Sequence, residues 1–286
     1  MGDTKIEWTN KTWNPTRGCT RVSEGCRNCY AERVAMRQIH DGYKGLVQLA
    51  NGHPQWTGVV RAMTGKTLEA PLHWKKPCRI FVNSMSDLFH EALSDEAIDR
   101  VFAIMALCPQ HTFQVLTKRP ARMLQWATRT RGNHCVEVVG VGTGNVRSGS
   151  WIDPLDNVWL GVSVEDQKTA DERLPLLLRT PAAVRFVSYE PALGPVDFSP
   201  WLNEGLSWII CGGESGPGAR PFDVAWARET VAACKTAGVA CFVKQMGAHV
   251  IQDGERRIKL DKKGGDWHEW PHDVRVREFP NAEEQC

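Results

Sequence analysis

The sequence predicts an α/β fold, a TIM-type (β/α) barrel that is either complete or partial and open, and three observations predict it. Short apolar runs rich in β-branched residues recur along the chain. Stretches of helical period separate them, and parallel strands need such crossovers of roughly a dozen residues. The length of 286 residues is close to the roughly 250 that a single barrel takes.

The elements follow in order. A first strand is expected before Cys19, and a helix over residues 30–39 after Cys29. Residues 79–83 read as a strand, and Ser94 then caps a helix that runs through Leu107. Residues 111–116 form the next strand, and Pro120 opens a helix to about residue 130. Further units are a strand over 157–162 with a helix over 166–178, and a strand over 184–188 with a short segment near Trp201. A strand over 208–211 with a helix over 224–237, and a last strand over 240–243, complete about seven βα units joined by right-handed crossovers. Three stretches break the rhythm. Residues 42–76 are expected to be an excursion packed over a barrel end. Residues 131–154, with Gly140, Gly142, Gly144 and Gly149, suit a loop or small hairpin; no Lys-Ser or Lys-Thr follows, so a phosphate loop is disfavoured. In the tail over 250–286, Gly264-Gly265 is expected to turn a hairpin between residues 256–260 and 262–267. The whole is read as one barrel domain.

Composition narrows the class. A hydrophobic share of 42% and a charged share of 24% are those of a globular chain. The start of the chain lacks an apolar leader and no run of about 18 uncharged apolar residues occurs, so a cytoplasmic protein with no membrane partner is expected. The net charge of +2 conceals an asymmetry: residues 1–79 carry 13 Lys or Arg against 6 Asp or Glu, leaving the rest at −5. Such a basic segment can attract a polyanion, and its Trp8, Trp13, Trp56 and Trp74 can either stack on bases or cover a barrel end. The nine histidines show no H-E-x2-H pair, and Gly213-Glu214-Ser215-Gly216-Pro217 lacks the second glycine of a serine-hydrolase elbow.

Of ten cysteines, Cys19, Cys26 and Cys29 fall within eleven positions; the other seven are scattered, mostly among apolar neighbours, and read as small buried hydrophobes. The C-x6-C-x2-C pattern lies between the first strand and the first helix, on the face where barrels carry chemistry. Three thiolates can hold three irons of a 4Fe-4S cluster and leave the fourth open. A zinc site would need a fourth ligand, such as Cys78, His40 or His53. A disulfide within C-x2-C would leave Cys19 unexplained.

Thr12-Trp13-Asn14-Pro15, Gly18-Cys19, Gly25-Cys26 and Asn28-Cys29-Tyr30-Ala31 resemble the phage-associated three-cysteine-motif proteins, which are similar to radical S-adenosylmethionine enzymes. The resemblance extends over nearly the whole chain, through residues 81–89, 116–120, 159–165, 188–191, 212–215 and the tail from Lys263 to Pro280. It implies a 4Fe-4S cluster on Cys19, Cys26 and Cys29 whose open iron takes S-adenosylmethionine, an external electron donor, and reductive cleavage to a 5′-deoxyadenosyl radical. The commonest radical enzymes instead space their cysteines C-x3-C-x2-C with an aromatic before the third, where this chain has Asn28. Their Gly-Gly-Glu-like segment follows the second strand, where this chain has Asn83-Ser84-Met85-Ser86-Asp87; Gly212-Gly213-Glu214 lies near the sixth.

Polar residues follow six successive strands and are expected at the barrel mouth. Asn83, Ser84 and Asp87 are expected beside the methionine moiety, and Ser163 and Glu165 beside the ribose. Glu214 joins the cofactor-binding candidates by its place at a strand end. Glu190, Lys118 and Lys244 are the catalytic candidates beside a polar substrate, for which modified or damaged nucleic acid is the expectation. The alternative is a nucleic-acid-binding or accessory protein that carries a 4Fe-4S cluster or zinc without radical chemistry.

Overall fold

The computed structural model describes residues 4–39, 42–129, 154–257 and 261–280, together with the backbone of 133–139 and 146–152. The architecture is mixed α/β. Seven strands, β1 (Lys11–Trp13), β2 (Arg79–Val82), β3 (Thr112–Thr117), β4 (Val158–Val164), β5 (Val184–Tyr189), β6 (Trp208–Gly212) and β7 (Ala240–Gln245), are hydrogen-bonded in that order in one sheet. Between them lie α1 (Tyr30–Arg37), α2 (Asp95–Ala106), α3 (Pro120–Thr128), α4 (Gln167–Arg179), α5 (Ser199–Leu202) and α6 (Val224–Ala237). Strands that are neighbours in the chain are neighbours in the sheet, the order that successive βα units produce. Two compact units divide the chain: Met1–Leu160 with Thr180–Ala183, and Gly161–Arg179 with Val184–Cys286.

In the first unit, β1 pairs with β2 and β2 with β3, both parallel, with Trp13 opposite Val82 and Val82 opposite Val115. Ile80, Val82, Phe113 and Val115 are fully buried, as strands covered on both faces require. Ser94 caps α2 as expected, accepting from the Ala97 N–H at 3.4 Å. Residues 42–76 are less formless than their lack of period implies. A hairpin, Val47–Ala50 with His53–Trp56, turns at Asn51-Gly52, both at positive φ, the conformation that Asn-Gly supplies to a tight hairpin. Tyr43, Leu46, Val47 and Trp56 pack with Ala31 and Ala35 of α1, so the excursion is a cradle for that helix. The tryptophans are thereby spent on the core. Trp8, Trp13 and Trp56 are buried, and Lys11 lies over the ring of half-buried Trp74. Base stacking by the three buried rings is overturned, because their faces are packed against protein. The segment over 131–154 holds an antiparallel hairpin, Asn133–Val139 with Val146–Ile152. Gly140, Gly142 and Gly144 lie outside the described residues, and Gly149 lies within the second strand.

In the second unit, β5 pairs with β6 and β6 with β7, again parallel. Asp166 starts α4 by accepting from the Thr169 N–H at 2.8 Å. Helix α6 has the expected bounds, with Asp223 accepting from the Ala225 N–H and Gly238 ending the helix at φ 69. The tail departs from expectation. Its hairpin is Val250–Gln252 with Glu255–Arg257, turned by Asp253-Gly254 at positive φ. Residues 258–260 lie outside the described residues, and Lys262–Trp267 form a turn leading into a short 3-10 segment rather than a strand. Gly264 has a different duty: a Cβ there would lie 2.4 Å from the Gly247 carbonyl oxygen. The last described stretch lies along β7, where Val243 N–H donates to Val276 and Glu278 N–H to Cys241. Cys108, Cys211, Cys234 and Cys241 are buried and Cys78 is half-buried. The side chain of Cys135, and Cys286, lie outside the described residues.

Candidate functional site

The cysteine loop leaves β1 and is tied at once to the segment that leaves β2. Asn14 Oδ1 accepts from Ser84 Oγ (3.2 Å) and from the Met85 N–H (3.0 Å). Ser86 Oγ donates to the Thr16 carbonyl at 2.9 Å, and the Tyr30 hydroxyl donates to the Ser84 carbonyl at 2.5 Å. Gly18, at φ +90, passes so close to the next loop that a Cβ would lie 2.1 Å from the Val59 carbonyl oxygen; only glycine fits. Glu24–Cys26 form one 3-10 turn, and the Cys29 N–H reaches the Cys26 carbonyl at 3.3 Å just before α1 begins. Buried Glu32 of α1 anchors this loop: it accepts from Arg21 Nε (2.9 Å) and Nη2 (2.6 Å), and from the Trp56 N–H (3.1 Å).

The three thiols stand close enough to feel one another's charge. Burial, then Asp87, pushes the Cys19 thiol up to about 12, against the pull of Arg119; Cys26 and Cys29 raise it further. Burial also raises Cys29. Both are therefore protonated at neutral pH, and a soft metal would have to displace those protons. Among the described residues no group of three or more His, Cys, Asp or Glu side chains is closed in metal-holding geometry. The donor chemistry, three sulfurs on one loop, suits an iron-sulfur cluster or zinc. The suggested fourth zinc ligands fare worse. Cys78 precedes the start of β2, whereas the cysteine loop meets the end of that strand, and Cys78 Sγ lies 3.6 Å from His111. His53 is exposed in the hairpin, and His40 lies outside the described residues.

Asp87 and Arg119 form the hub beside Cys19. The Asp87 carboxylate receives four hydrogen bonds: from Thr117 Oγ1 (2.7 Å) and the Phe89 N–H (3.0 Å) on one oxygen, and from the Lys118 N–H and Arg119 Nη1 (both 3.0 Å) on the other. Buried Arg119 reaches further, to Glu91 at 2.8 Å, to the carbonyl and hydroxyl oxygens of Thr20 at 3.2 and 2.6 Å, and to Cys19 Sγ at 3.8 Å. His90 accepts the Ala92 N–H on Nδ1 at 3.1 Å, which leaves its proton on Nε2, 3.0 Å from Thr20 Oγ1. Of the two cations following β3, the sequence favours Lys118 as a site residue, yet the side chain brought to the cysteine loop is that of Arg119. The signal was present in the Arg-Pro step, because Pro120 opens α3 and turns Arg119 out of the strand.

Asn83 is the least satisfied residue here. It holds φ 63 at the end of β2 and is 3% exposed. Its amide nitrogen donates to Thr16 Oγ1 at 2.5 Å, and its Oδ1 has no hydrogen-bond partner. A strained, buried acceptor left open at a strand end is a cost that a ligand donor would remove. Asn83, Ser84, Asp87 and the cysteine loop are thus brought together in the first unit.

In the second unit each carboxylate candidate is paired with a cation. Glu165, 1% exposed, is held by buried Arg173 at 3.1 Å, and Arg173 also donates to the Ser163 carbonyl at 2.8 Å. Glu190 accepts from Lys244 Nζ at 2.6 Å. Glu214 is clasped in bidentate fashion by Arg220, at 2.7 and 3.1 Å.

No helix among the described residues is long and apolar enough to cross a membrane. No curated protein and no solved structure matches the chain. Residues 3–274 match the family described as "Protein of unknown function (DUF5131)", and the chain, covered almost from end to end, belongs to that family.

Proposed function

We propose that the protein is an iron-sulfur enzyme of radical S-adenosylmethionine type, built on an open (β/α) barrel of TIM type. The observation that carries the reading is the cysteine loop itself: three sulfurs locked by Asn14, Thr16 and Tyr30 to the segment after β2, beside a buried acceptor with no partner. Cys19, Cys26 and Cys29 would hold a 4Fe-4S cluster. When bound and reduced by a low-potential one-electron donor, such a cluster supplies the electron that cleaves S-adenosylmethionine to methionine and a 5′-deoxyadenosyl radical. The chain's own part is to bind and orient. Asn83 Oδ1 offers an acceptor to an ammonium group, Ser84 borders it, and Asp87 fixes Arg119 rather than spending its lone pairs on a ligand. Ser163, Glu165 and Glu214 are the further cofactor-binding candidates. Lys118 and the Glu190–Lys244 pair are those for proton handling on the substrate. A polyanion such as modified or damaged nucleic acid is the substrate class that the basic segment over 1–79 favours.

Protein purified without oxygen should contain about four iron and four sulfide per chain; zinc without sulfide overturns the reading. Incubation with S-adenosylmethionine and dithionite should release 5′-deoxyadenosine. A cluster without cleavage favours an accessory role instead. DNA affinity should weaken as salt rises, and affinity insensitive to salt, or none, removes the nucleic-acid substrate.

A further inference from the structure

Arg119 is unusual in how completely it is used. A guanidinium has five N–H donors in a rigid fork. All five have acceptors here: Glu91, Asp87, both oxygens of Thr20, and the Cys19 sulfur. Nothing is left over for a substrate anion. Its acceptors come from two places in the chain, the cysteine loop and the segment after β2, while Arg119 itself follows β3, and the side chain is 4% exposed. Two carboxylates hold it from behind, so the fork cannot swing away from the sulfur.

We propose that Arg119 is a positioning residue that donates a fixed N–H hydrogen bond to the Cys19 sulfur and thereby sets the reduction potential of the cluster bound there. The inference rests on the iron-sulfur reading above. A hydrogen bond and a positive charge at a cluster thiolate draw electron density from the sulfur and favour the reduced, more negative state. Glu91, largely exposed, is an outer brace, whereas Asp87 is the buried one. Lysine could keep the charge but could not reach Asp87, Thr20 and Cys19 together.

The test is an anaerobic redox titration, followed by electron paramagnetic resonance, of wild type, Arg119→Gln, Arg119→Lys and Glu91→Gln, each first assayed for iron and sulfide. Arg119→Gln should shift the reduced-to-oxidised ratio at a fixed potential about tenfold toward oxidised, equivalent to about 59 mV for one electron. Arg119→Lys should recover part of that shift, and Glu91→Gln should move it least. If Arg119→Gln assembles no cluster, the wild-type and Arg119→Lys midpoints decide: a lower midpoint for lysine supports the proposal and equal midpoints overturn it. Equal midpoints for all variants with full clusters overturn it while leaving the enzyme reading intact. Wild-type protein without iron and sulfide overturns both.

Discussion

Both units end their strands in carboxylates paired with cations, but the pairs are drawn from very different separations along the chain. Arg173 lies eight residues from Glu165, and Arg220 six from Glu214; each pair closes within a single connection. Arg119 lies 32 residues from Asp87, 99 from Thr20 and 100 from Cys19. A short-range pair latches its own loop at small entropic cost, whereas a long-range hub exists only once β1, β2 and β3 are assembled. Similar residue types thus do different work: Glu165 and Glu214 are held by local latches, the Glu190–Lys244 pair joins two strand ends 54 residues apart, and the first-unit hub draws three strands' ends into one site.

The largest effect should come from emptying the first-unit site. Replacing Cys19, Cys26 or Cys29 with Ala should abolish bound iron and sulfide while far-ultraviolet circular dichroism stays unchanged; full metal content in any one variant would remove that cysteine from the ligand set. Next comes the most buried latch. Arg173→Met should destabilise the protein by about 3–5 kcal/mol in urea unfolding, because it strands the Glu165 carboxylate in the core. The double substitution Glu165→Gln with Arg173→Met should recover part of that loss, and strictly additive losses would deny the coupling. Gly18→Ala should cost about 1–3 kcal/mol from backbone strain alone, with the Val59 clash added, and should lower metal content too; a variant that binds metal normally would show that the loop adapts.

A smaller effect concerns pH. Burial, then the Arg119 charge, holds the His90 imidazole below its ordinary value, against Glu91 and Asp87, which favour its charged form. The folded state therefore prefers the neutral ring, and protons bind more readily to the unfolded chain. Stability should be full above about pH 6.5 and fall as pH drops below it toward the folded-state value. Urea midpoints at about pH 7.5 and about 5.5 should differ more for wild type than for His90→Gln; an equal difference would clear His90 of the dependence. Smallest is Glu190→Gln, at a pair 17% exposed on each side. It should change stability by about 1 kcal/mol or less. A large drop in Tm would make this pair another latch instead of a proton-handling one.

What the sequence disclosed was mostly local. Hydrophobic period and the cap at Ser94 carried the βα order and the start of α2, because those signals act within a few residues. The C-x6-C-x2-C loop was legible for the same reason. Its partners were not: no spacing rule links Arg119 to Cys19, since register between strands decides it, and the choice of Lys118 weighed charge without direction. The excursion over 42–76 escaped because its strands are too short to establish a period, although Asn51-Gly52 was a readable turn. In the tail, Gly264-Gly265 suggested a hairpin turn, while at Gly264 the glycine serves close contact with Gly247.

The stretch from Val276 to Glu278 that lies along β7 has a consequence for solubility. In the strand order β7 stands at the end of the sheet, where unpaired N–H and C=O groups would invite another chain to add itself. The tail occupies those groups at Val243 and Cys241, acting as a built-in plug against edge-to-edge aggregation. Shortening the chain ahead of Val276 should therefore yield protein that self-associates, even though every strand and the cysteine loop is retained.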